Sequence, residues 1–215
     1  MNKIKSIDER TAFDLLLRDI RNCRVCRDEP RYGKPMDHEP RPVLQVSQTA
    51  SICIASQAPG TRVHQSGKPF TDASGIRLRQ WMGVSDDEFY DDSKIAIIPM
   101  GLCFPGQRAD GSDLPPRREC REIWRSQLFA RLPNLRLLLA IGGYAQRWHM
   151  GSDIARQGVT ETVRSWREHN CADPALRVYP LPHPSWHNNR WLTQNPWFES
   201  EVLPQMRHDI RDLLI

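Results

Sequence analysis

The sequence predicts an α/β fold, a three-layer α/β/α sandwich with a mainly parallel four-stranded central sheet. Four short apolar runs, each bounded by Gly, Pro or polar residues, have the length and composition of buried parallel strands. Helical patterns lie between these runs, and strands that alternate with helices are typical of a parallel sheet covered on both faces. The four predicted strands span residues 52–55, 95–98, 135–141 and 176–181.

The predicted helices follow from apolar residues at helical spacing. In the first, Phe13, Leu16, Leu17 and Ile20 recur on one face. The last begins at Pro196, a residue that suits a first helical turn. Residues 28–50 are rich in Pro and charge, which indicates an extended loop. The predicted helices span residues 8–22, 75–82, 117–131, 143–150 and 196–214.

Size and composition predict one domain that covers residues 1–215. With 215 residues, 39% of them hydrophobic, the chain can bury one sizeable core. No apolar run approaches the ~20 residues of a membrane span, so we expect no membrane partner. The first residues lack the apolar segment of a signal peptide. Six cysteines are too sparse for a disulfide scaffold, which favours a cytoplasmic protein with reduced thiols. We expect a monomer.

The charge is compatible with a nucleic-acid partner but does not establish one. The formal net charge is only +4, which a solvated surface explains equally well. Arginine outnumbers lysine, and the guanidinium fork can bind two phosphate oxygens at once.

Three loops with unusual chemistry follow three of the predicted strands. They span residues 56–60, 99–103 and 181–185. Ligands of parallel sheets bind beyond the carboxyl ends of the strands. We therefore expect these loops to meet at one edge of the sheet and to form the functional site.

Four cysteines indicate a metal or cluster site. Cys23 and Cys26 form a Cys-x2-Cys pair, while Cys103 and Cys120 flank a Pro-rich stretch far downstream. Four thiolates can bind tetrahedral zinc or a [4Fe–4S] cluster. Zinc sites usually contain two close pairs, so the wide second spacing favours iron–sulfur. Ordinary buried thiols are the alternative, and we assign it to Cys53 and Cys171.

The loops carry motifs of a known family. Ser-Gln-Ala-Pro-Gly at 56–60, Ser-Gly-Lys-Pro-Phe at 66–70 and His-Pro-Ser at 183–185 resemble the motifs of the uracil-DNA glycosylase superfamily. The pattern is most similar to the iron–sulfur, family 4 type, with some family 5-like features. The four cysteines at 23, 26, 103 and 120 match the cluster ligands of family 4. The resemblance extends over residues 20–195.

The resemblance implies a monofunctional DNA glycosylase. Such an enzyme hydrolyses the N-glycosidic bond of a deaminated base that has flipped out of single- or double-stranded DNA. Uracil is the expected base, and hypoxanthine and xanthine are alternatives. The implied cofactor is a [4Fe–4S] cluster, with zinc the weaker candidate. A non-catalytic iron–sulfur nucleic-acid-binding paralogue of the same fold is the alternative function.

The resemblance also implies which residues carry the reaction. His183 would donate a hydrogen bond to the carbonyl oxygen of the leaving base, unless it only caps a turn. Asp72 is the nearest carboxylate that could position the attacking water. Its alternative role is the N-cap of the next helix. Gln57 could hold the water by hydrogen bonds, and His64 is a second candidate.

Other residues would bind the substrate and its DNA. Phe70 would stack on the extruded base or pack in the core. Backbone groups of the first motif and the Ser185 hydroxyl would contact phosphates, and Trp186 would fill the vacated stack. The predicted substrate- and DNA-binding residues are Ala58, Pro59, Gly60, His64, Phe70, Met100, Ser185, Trp186 and Asn189.

Two departures from family 4 affect the expected activity. Gln57 replaces a Glu of that family, and an amide cannot act as a base. Pro99 replaces the Asn that reads uracil, and proline offers neither an amide side chain nor a backbone N–H. The backbone of Met100 or Gly101 is the expected substitute. Both departures favour either a different base preference or the loss of activity.

Overall fold

A four-stranded parallel sheet organises the protein. The structure is a computed structural model that describes residues 2–173 and 175–215, without the side chains of residues 2–8, 155 and 171. The strand order is β2-β1-β3-β4, and every neighbouring pair is parallel. The strands are β1 Ile52–Ala55, β2 Ile95–Ile97, β3 Leu137–Ile141 and β4 Arg177–Leu181.

Helices connect the strands and cover the sheet. Two π-helical turns, Arg121–Arg125 and Phe198–Val202, precede α7 and α13. A 3-10 turn, Trp186–Asn188, precedes α12. The α-helices are α1 Asn2–Arg21, α2 Val25–Asp28, α3 Thr61–Ser66, α4 Ala73–Met82, α5 Asp86–Phe89, α6 Arg118–Cys120, α7 Ser126–Phe129, α8 Gly142–Met150, α9 Ser152–Arg156, α10 Gly158–Arg164, α11 Trp166–Ala172, α12 Asn189–Gln194 and α13 Leu203–Leu214.

Two apolar clusters, one on each face of the sheet, confirm the predicted three-layer sandwich. Successive side chains of a strand point to opposite faces. Ile52 and Ile54 accordingly join one cluster with apolar residues of α4, α10, α11 and α13. Cys53 and Ala55 join the other cluster with residues of α1, α7 and α8. Because both faces are covered, β1, β2 and β3 are apolar throughout, and β4 departs from this pattern only at its exposed first residue, Arg177.

The strands lie where the sequence predicts them, with ends that differ by up to two residues. Helix α2 ends at Asp28, and the remainder of residues 28–50 lies outside the helices and strands. An isolated antiparallel bridge links Gln45 of this stretch to Ile97. Between β3 and β4, the sequence predicts α8, whereas the shorter α9, α10 and α11 escape the sequence analysis. No described helix is both long and apolar enough to cross a bilayer.

Candidate active site

The loops that follow β1, β2 and β4 meet around one cavity. Ser56, Pro99 and His183 each come from one of these loops and line the same cavity. The prediction that distant stretches converge at the carboxyl edge of the sheet is therefore confirmed in its geometry. The other lining residues are Val43, Ala58, Pro59, Gly60, Val63, Pro69, Phe70, Asp72, Ser74, Ile97 and Asp113.

An open groove adjoins this cavity. Gln57, Ser185 and Trp186 line the groove, together with Arg62 and His187. The cavity and the groove share a ring of residues, which we call the junction. The junction consists of Ala58, Gly60, Asp72, Ser74, Asp113 and His183.

His183 is half-buried at the junction, on a turn between two buried prolines. Asn188 Nδ2 donates a 2.7 Å hydrogen bond to the His183 carbonyl oxygen and so closes the turn. Burial lowers the pKa of His183, although the charges of Asp72 and Asp113 act to raise it. A histidine with a lowered pKa is neutral at pH 7, and one ring nitrogen then carries a proton that it can donate.

Asp72 is the N-cap of α4, one of the two roles that the sequence left open, and it also lies at the junction. Its Oδ1 accepts a 3.2 Å hydrogen bond from the Gly75 backbone N–H and caps α4. The same side chain lines the cavity and the groove. The capping bond fixes the carboxylate in place at the start of α4, next to both spaces.

Phe70 likewise belongs to both the core and the cavity. Its ring packs edge-to-face on Phe89, at 6.0 Å between centroids, and lines the cavity wall. Its φ is 54°, which is uncommon for a residue with a side chain. Arg79 and Tyr90 donate hydrogen bonds to its carbonyl oxygen. A Cβ atom at Gly75 would lie 1.8 Å from that oxygen, so the bend requires glycine there.

The loop that follows β4 presents an exposed aromatic surface to the groove. Trp186 is 67% exposed, and its ring stacks on His187 with 3.8 Å between centroids. Arg77 of α4 donates a 3.0 Å hydrogen bond to the Ser185 carbonyl oxygen. The loop is thereby anchored while its largest apolar side chain remains in solvent.

Three of the predicted substrate-binding residues lie outside the cavity and the groove. His64 packs against His38 and Phe104, with ring centroids at 4.8 and 5.7 Å, because α3 directs it to the opposite side. The Met100 side chain is buried in a core cluster. Asn189 is exposed and begins α12.

The backbone groups proposed to replace the missing amide are already engaged. Met100 N–H donates to the Ser56 carbonyl oxygen over 2.8 Å, and Gly101 N–H donates to the Gln57 carbonyl oxygen over 3.0 Å. These bonds extend the pairing between the loops after β1 and β2. The expectation that either N–H reads the base is therefore wrong for this conformation.

A buried arginine supports Pro99 from behind the cavity. Arg125, 2% exposed, donates 3.2 Å hydrogen bonds to the carbonyl oxygens of Ile98 and Pro99. Its Nε donates to His149 Nε2 over 3.0 Å. Burial lowers the pKa of Arg125 to about 10, and burial with the Arg125 charge lowers that of His149 to about 2. His149 is therefore a neutral acceptor.

The sequence analysis missed two junction residues, Ser74 and Asp113, of which only Asp113 is ionisable. It belongs to the Pro-rich segment between Cys103 and Cys120, and it is exposed at the cavity mouth. A single aspartate in a surface loop carries no distinguishing pattern. The one signal that pointed to this region is that its segment lies between two candidate cluster ligands, Cys103 and Cys120.

The four cysteines 23, 26, 103 and 120 line one separate small cavity. Burial raises the pKa of Cys103 to about 12, while a hydrogen bond from Cys120 lowers that of Cys26. Within residues 2–173 and 175–215, no three His, Cys, Asp or Glu side chains form a group that could hold a metal ion. The thiols thus share a cavity without converging on one point. Cys53 is fully buried in β1, apart from them.

Comparison with protein families agrees with this geometry. Residues 44–207 match the family model described as the uracil DNA glycosylase superfamily. The match covers well over half of the 215 residues and includes all three loops that surround the cavity. On the combined evidence of fold, convergent loops and family match, the chain belongs to the uracil DNA glycosylase superfamily.

Proposed function

We propose that the protein is a monofunctional DNA glycosylase that hydrolyses the N-glycosidic bond of a flipped-out deaminated base. The carrying observation is the shared cavity in which His183 and Phe70 meet the Ala58–Gly60 backbone. The cavity adjoins an open groove, so a base could enter the cavity while its strand stays in the groove.

His183 is the proposed electrostatic catalyst. Departure of the base leaves negative charge on it, and a donor at its carbonyl oxygen stabilises that charge most in the transition state. A preorganised donor of this kind typically contributes ~3 kcal/mol, or a rate factor of about a hundred or more. The Asn188 bond to the His183 carbonyl oxygen supports this role because it fixes the backbone turn that carries the ring before substrate arrives.

Asp72 is the proposed holder of the attacking water. Its carboxylate lines the junction, where the sugar of a flipped nucleotide would lie. Gln57 lines the adjoining groove and can add a hydrogen bond to the same water. Ser185 and Trp186 face the groove from the other loop, which suits phosphate contact and filling of the vacated stack.

Uracil is the proposed substrate, with hypoxanthine and xanthine as further candidates. Pro99 lines the cavity at the position of the family 4 Asn and has no side-chain donor or acceptor. Its carbonyl oxygen is held by Arg125, and the next two N–H groups are engaged. Without an amide to select one edge pattern, the cavity should discriminate less strictly among deaminated bases.

We further propose that Cys23, Cys26, Cys103 and Cys120 hold a [4Fe–4S] cluster, as the family 4 resemblance implies. All four thiols line one cavity, which supports the assignment. A cubane distributes its four thiolate ligands over four irons, whereas zinc requires four sulfurs at about 2.3 Å from one ion. Such a group would stabilise the N-terminal segment against the segment of Cys103 and Cys120, away from the junction.

The decisive assay uses oligonucleotides with a single uracil, hypoxanthine, xanthine or thymine, single-stranded and paired. Purified protein with measured iron content is incubated in excess, and alkaline scission reports abasic sites. We expect cleavage at uracil first and no cleavage at thymine. Absence of cleavage at every lesion by iron-loaded protein would remove the enzymatic function.

Gln57 and Pro99 favour a second candidate function, a non-catalytic nucleic-acid-binding paralogue. The same oligonucleotides distinguish it from the enzyme. Salt-sensitive binding to lesion DNA without any scission would select the binding protein. Scission at any lesion would exclude it.

A further inference from the structure

The junction contains a second carboxylate, Asp113, on a short hairpin that reaches over the cavity mouth. Arg108 N–H donates to the Ser112 carbonyl oxygen, and Leu114 N–H donates to the Gly106 carbonyl oxygen, both over 2.8 Å. Gln107 Nε2 donates to Asp113 Oδ1 over 3.3 Å. These bonds hold the hairpin and leave Oδ2 of Asp113 for the junction.

The first motif is the immediate neighbour of this carboxylate. Asp113 Oδ2 lies 3.4 Å from the position that a Cβ atom on Gly60 would occupy. A larger side chain at position 60 would therefore crowd the carboxylate. The close approach brings Asp113 to the motif that contains Gln57, which has no base of its own.

The junction is also where the scissile bond would lie. If the base fills the cavity and the phosphates follow the groove, the sugar C1′ atom lies between them. Asp72 and Asp113 are the two carboxylates that line both spaces among the described residues. Asp72 already caps α4, whereas the described bond of the Asp113 carboxylate is the single one from Gln107.

An aspartate at this place works against DNA affinity. A carboxylate that faces a phosphate backbone repels it, so Asp113 weakens the encounter that the groove requires. The same charge is favourable next to a sugar that becomes cationic as the base leaves. The influence of Asp113 on the His183 pKa indicates that its charge is felt within the site.

We propose that Asp113 is a second catalytic carboxylate, which accepts the proton of the water that attacks C1′. This inference rests on the proposed glycosylase function. The water oxygen forms a bond to C1′ as the C1′–N bond breaks, and the bonding pair leaves with the base. The water proton passes to Asp113 and is later returned to solvent. Asp72 orients the same water, and His183 stabilises the base anion.

The test measures single-turnover cleavage of the uracil oligonucleotide by Asp113→Asn. We expect a loss of about a hundredfold or more, the range for a lost general base. Asp110→Asn is the matched control, since it removes an equal charge from the same hairpin and Asp110 lines neither space. We expect Asp110→Asn to stay within threefold of wild type.

A binding measurement separates chemistry from structure. Duplex DNA with a non-hydrolysable 2′-fluoro-deoxyuridine should bind Asp113→Asn at least as tightly as wild type, because a repulsive charge is gone. Weaker binding by Asp113→Asn, an unchanged cleavage rate, or an equal loss in Asp110→Asn would overturn the inference alone, provided that wild type cleaves. No cleavage by wild type would instead overturn the glycosylase function and this inference with it.

Discussion

Arg77 Nη1 donates a 3.0 Å hydrogen bond to the carbonyl oxygen of Ser185, and this bond joins α4 to the loop of His183 and Trp186. Asp72 caps the same helix at its first turn. The two catalytic candidates therefore share one rigid support. A cation anchored on a loop carbonyl is among the stronger hydrogen bonds in proteins, worth about 1.5–3 kcal/mol.

Arg77→Ala should slow uracil excision roughly tenfold or more, because the loop of His183 loses this anchor. The reduction should appear in the single-turnover rate more than in DNA affinity. Gln80→Ala, an exposed change on the same helix, is the control. If both variants cleave like wild type, the anchor has no influence on the reaction.

His183→Ala should reduce the cleavage rate about a hundredfold or more, since a preorganised donor to the base is lost. The fold should persist, because the side chain has no hydrogen bond to another described residue and its backbone bond to Asn188 remains. Circular dichroism and urea unfolding check the fold. His208→Ala, an exposed histidine of α13, should behave like wild type. A rate close to wild type for His183→Ala would contradict the electrostatic role.

Asp72→Asn separates the two roles of this residue. Asparagine is as good an N-cap as aspartate, so the free energy of unfolding should change little. Asp72→Ala should lose about 1 kcal/mol of stability. If Asp72 orients water, both variants lose cleavage activity. If only Asp72→Ala is impaired, Asp72 serves the helix alone.

Cys120→Ser should yield protein with less iron and sulfide and a weaker visible absorption band, because a proposed cluster ligand is lost. Its urea midpoint should also fall, because metal ligation contributes to folding. Cys53→Ala is the control, since Cys53 lies in β1 outside the cysteine cavity and should leave the iron content unchanged. Equal iron in Cys120→Ser and wild type would refute the ligand assignment, and zinc in colourless protein would replace the cluster.

Acid should destabilise the protein through His149. Its pKa is about 2 in the folded state and ~6.5 in an unfolded chain, so the unfolded state binds the proton first as pH falls. The contribution of His149 to the free energy of unfolding is therefore present above pH ~6.5 and is lost progressively as pH falls below that value. Between pH 7.5 and 5.5 the loss is about 1.4 kcal/mol. His149→Gln keeps an acceptor for Arg125 and should show a smaller loss in urea unfolding. Parallel pH profiles would contradict this account.

The sheet and the meeting of the loops follow from sequence pattern alone. Residues 52–55 and 137–141 are apolar because both faces of the sheet are covered, and polar residues or glycine end each run. Parallel strands bring their carboxyl ends to one edge. The convergence of His183 with the first motif is therefore a topological result, which needs no knowledge of side-chain packing.

Side-chain direction was the part that the sequence could not provide. His64 lies close to the first motif along the chain, yet α3 turns it toward Phe104. The sequence gives no sign that the Met100 N–H is engaged, yet in the fold it donates a hydrogen bond to the Ser56 carbonyl oxygen. The position of Asp113 depends on a hairpin held by two backbone hydrogen bonds and one side-chain bond from Gln107. Such choices are made by tertiary contacts rather than by periodicity.

The Cys103–Cys120 segment has a further consequence for engineering. Both of its ends lie in the wall of the thiol cavity, and its tip carries Asp113 to the cavity mouth. Its reach is therefore set by chain length between two fixed anchors. Inserted or deleted residues would shift the tip even if every side chain stayed the same. Chimeras with related proteins should transplant this stretch whole, together with the wall that receives it.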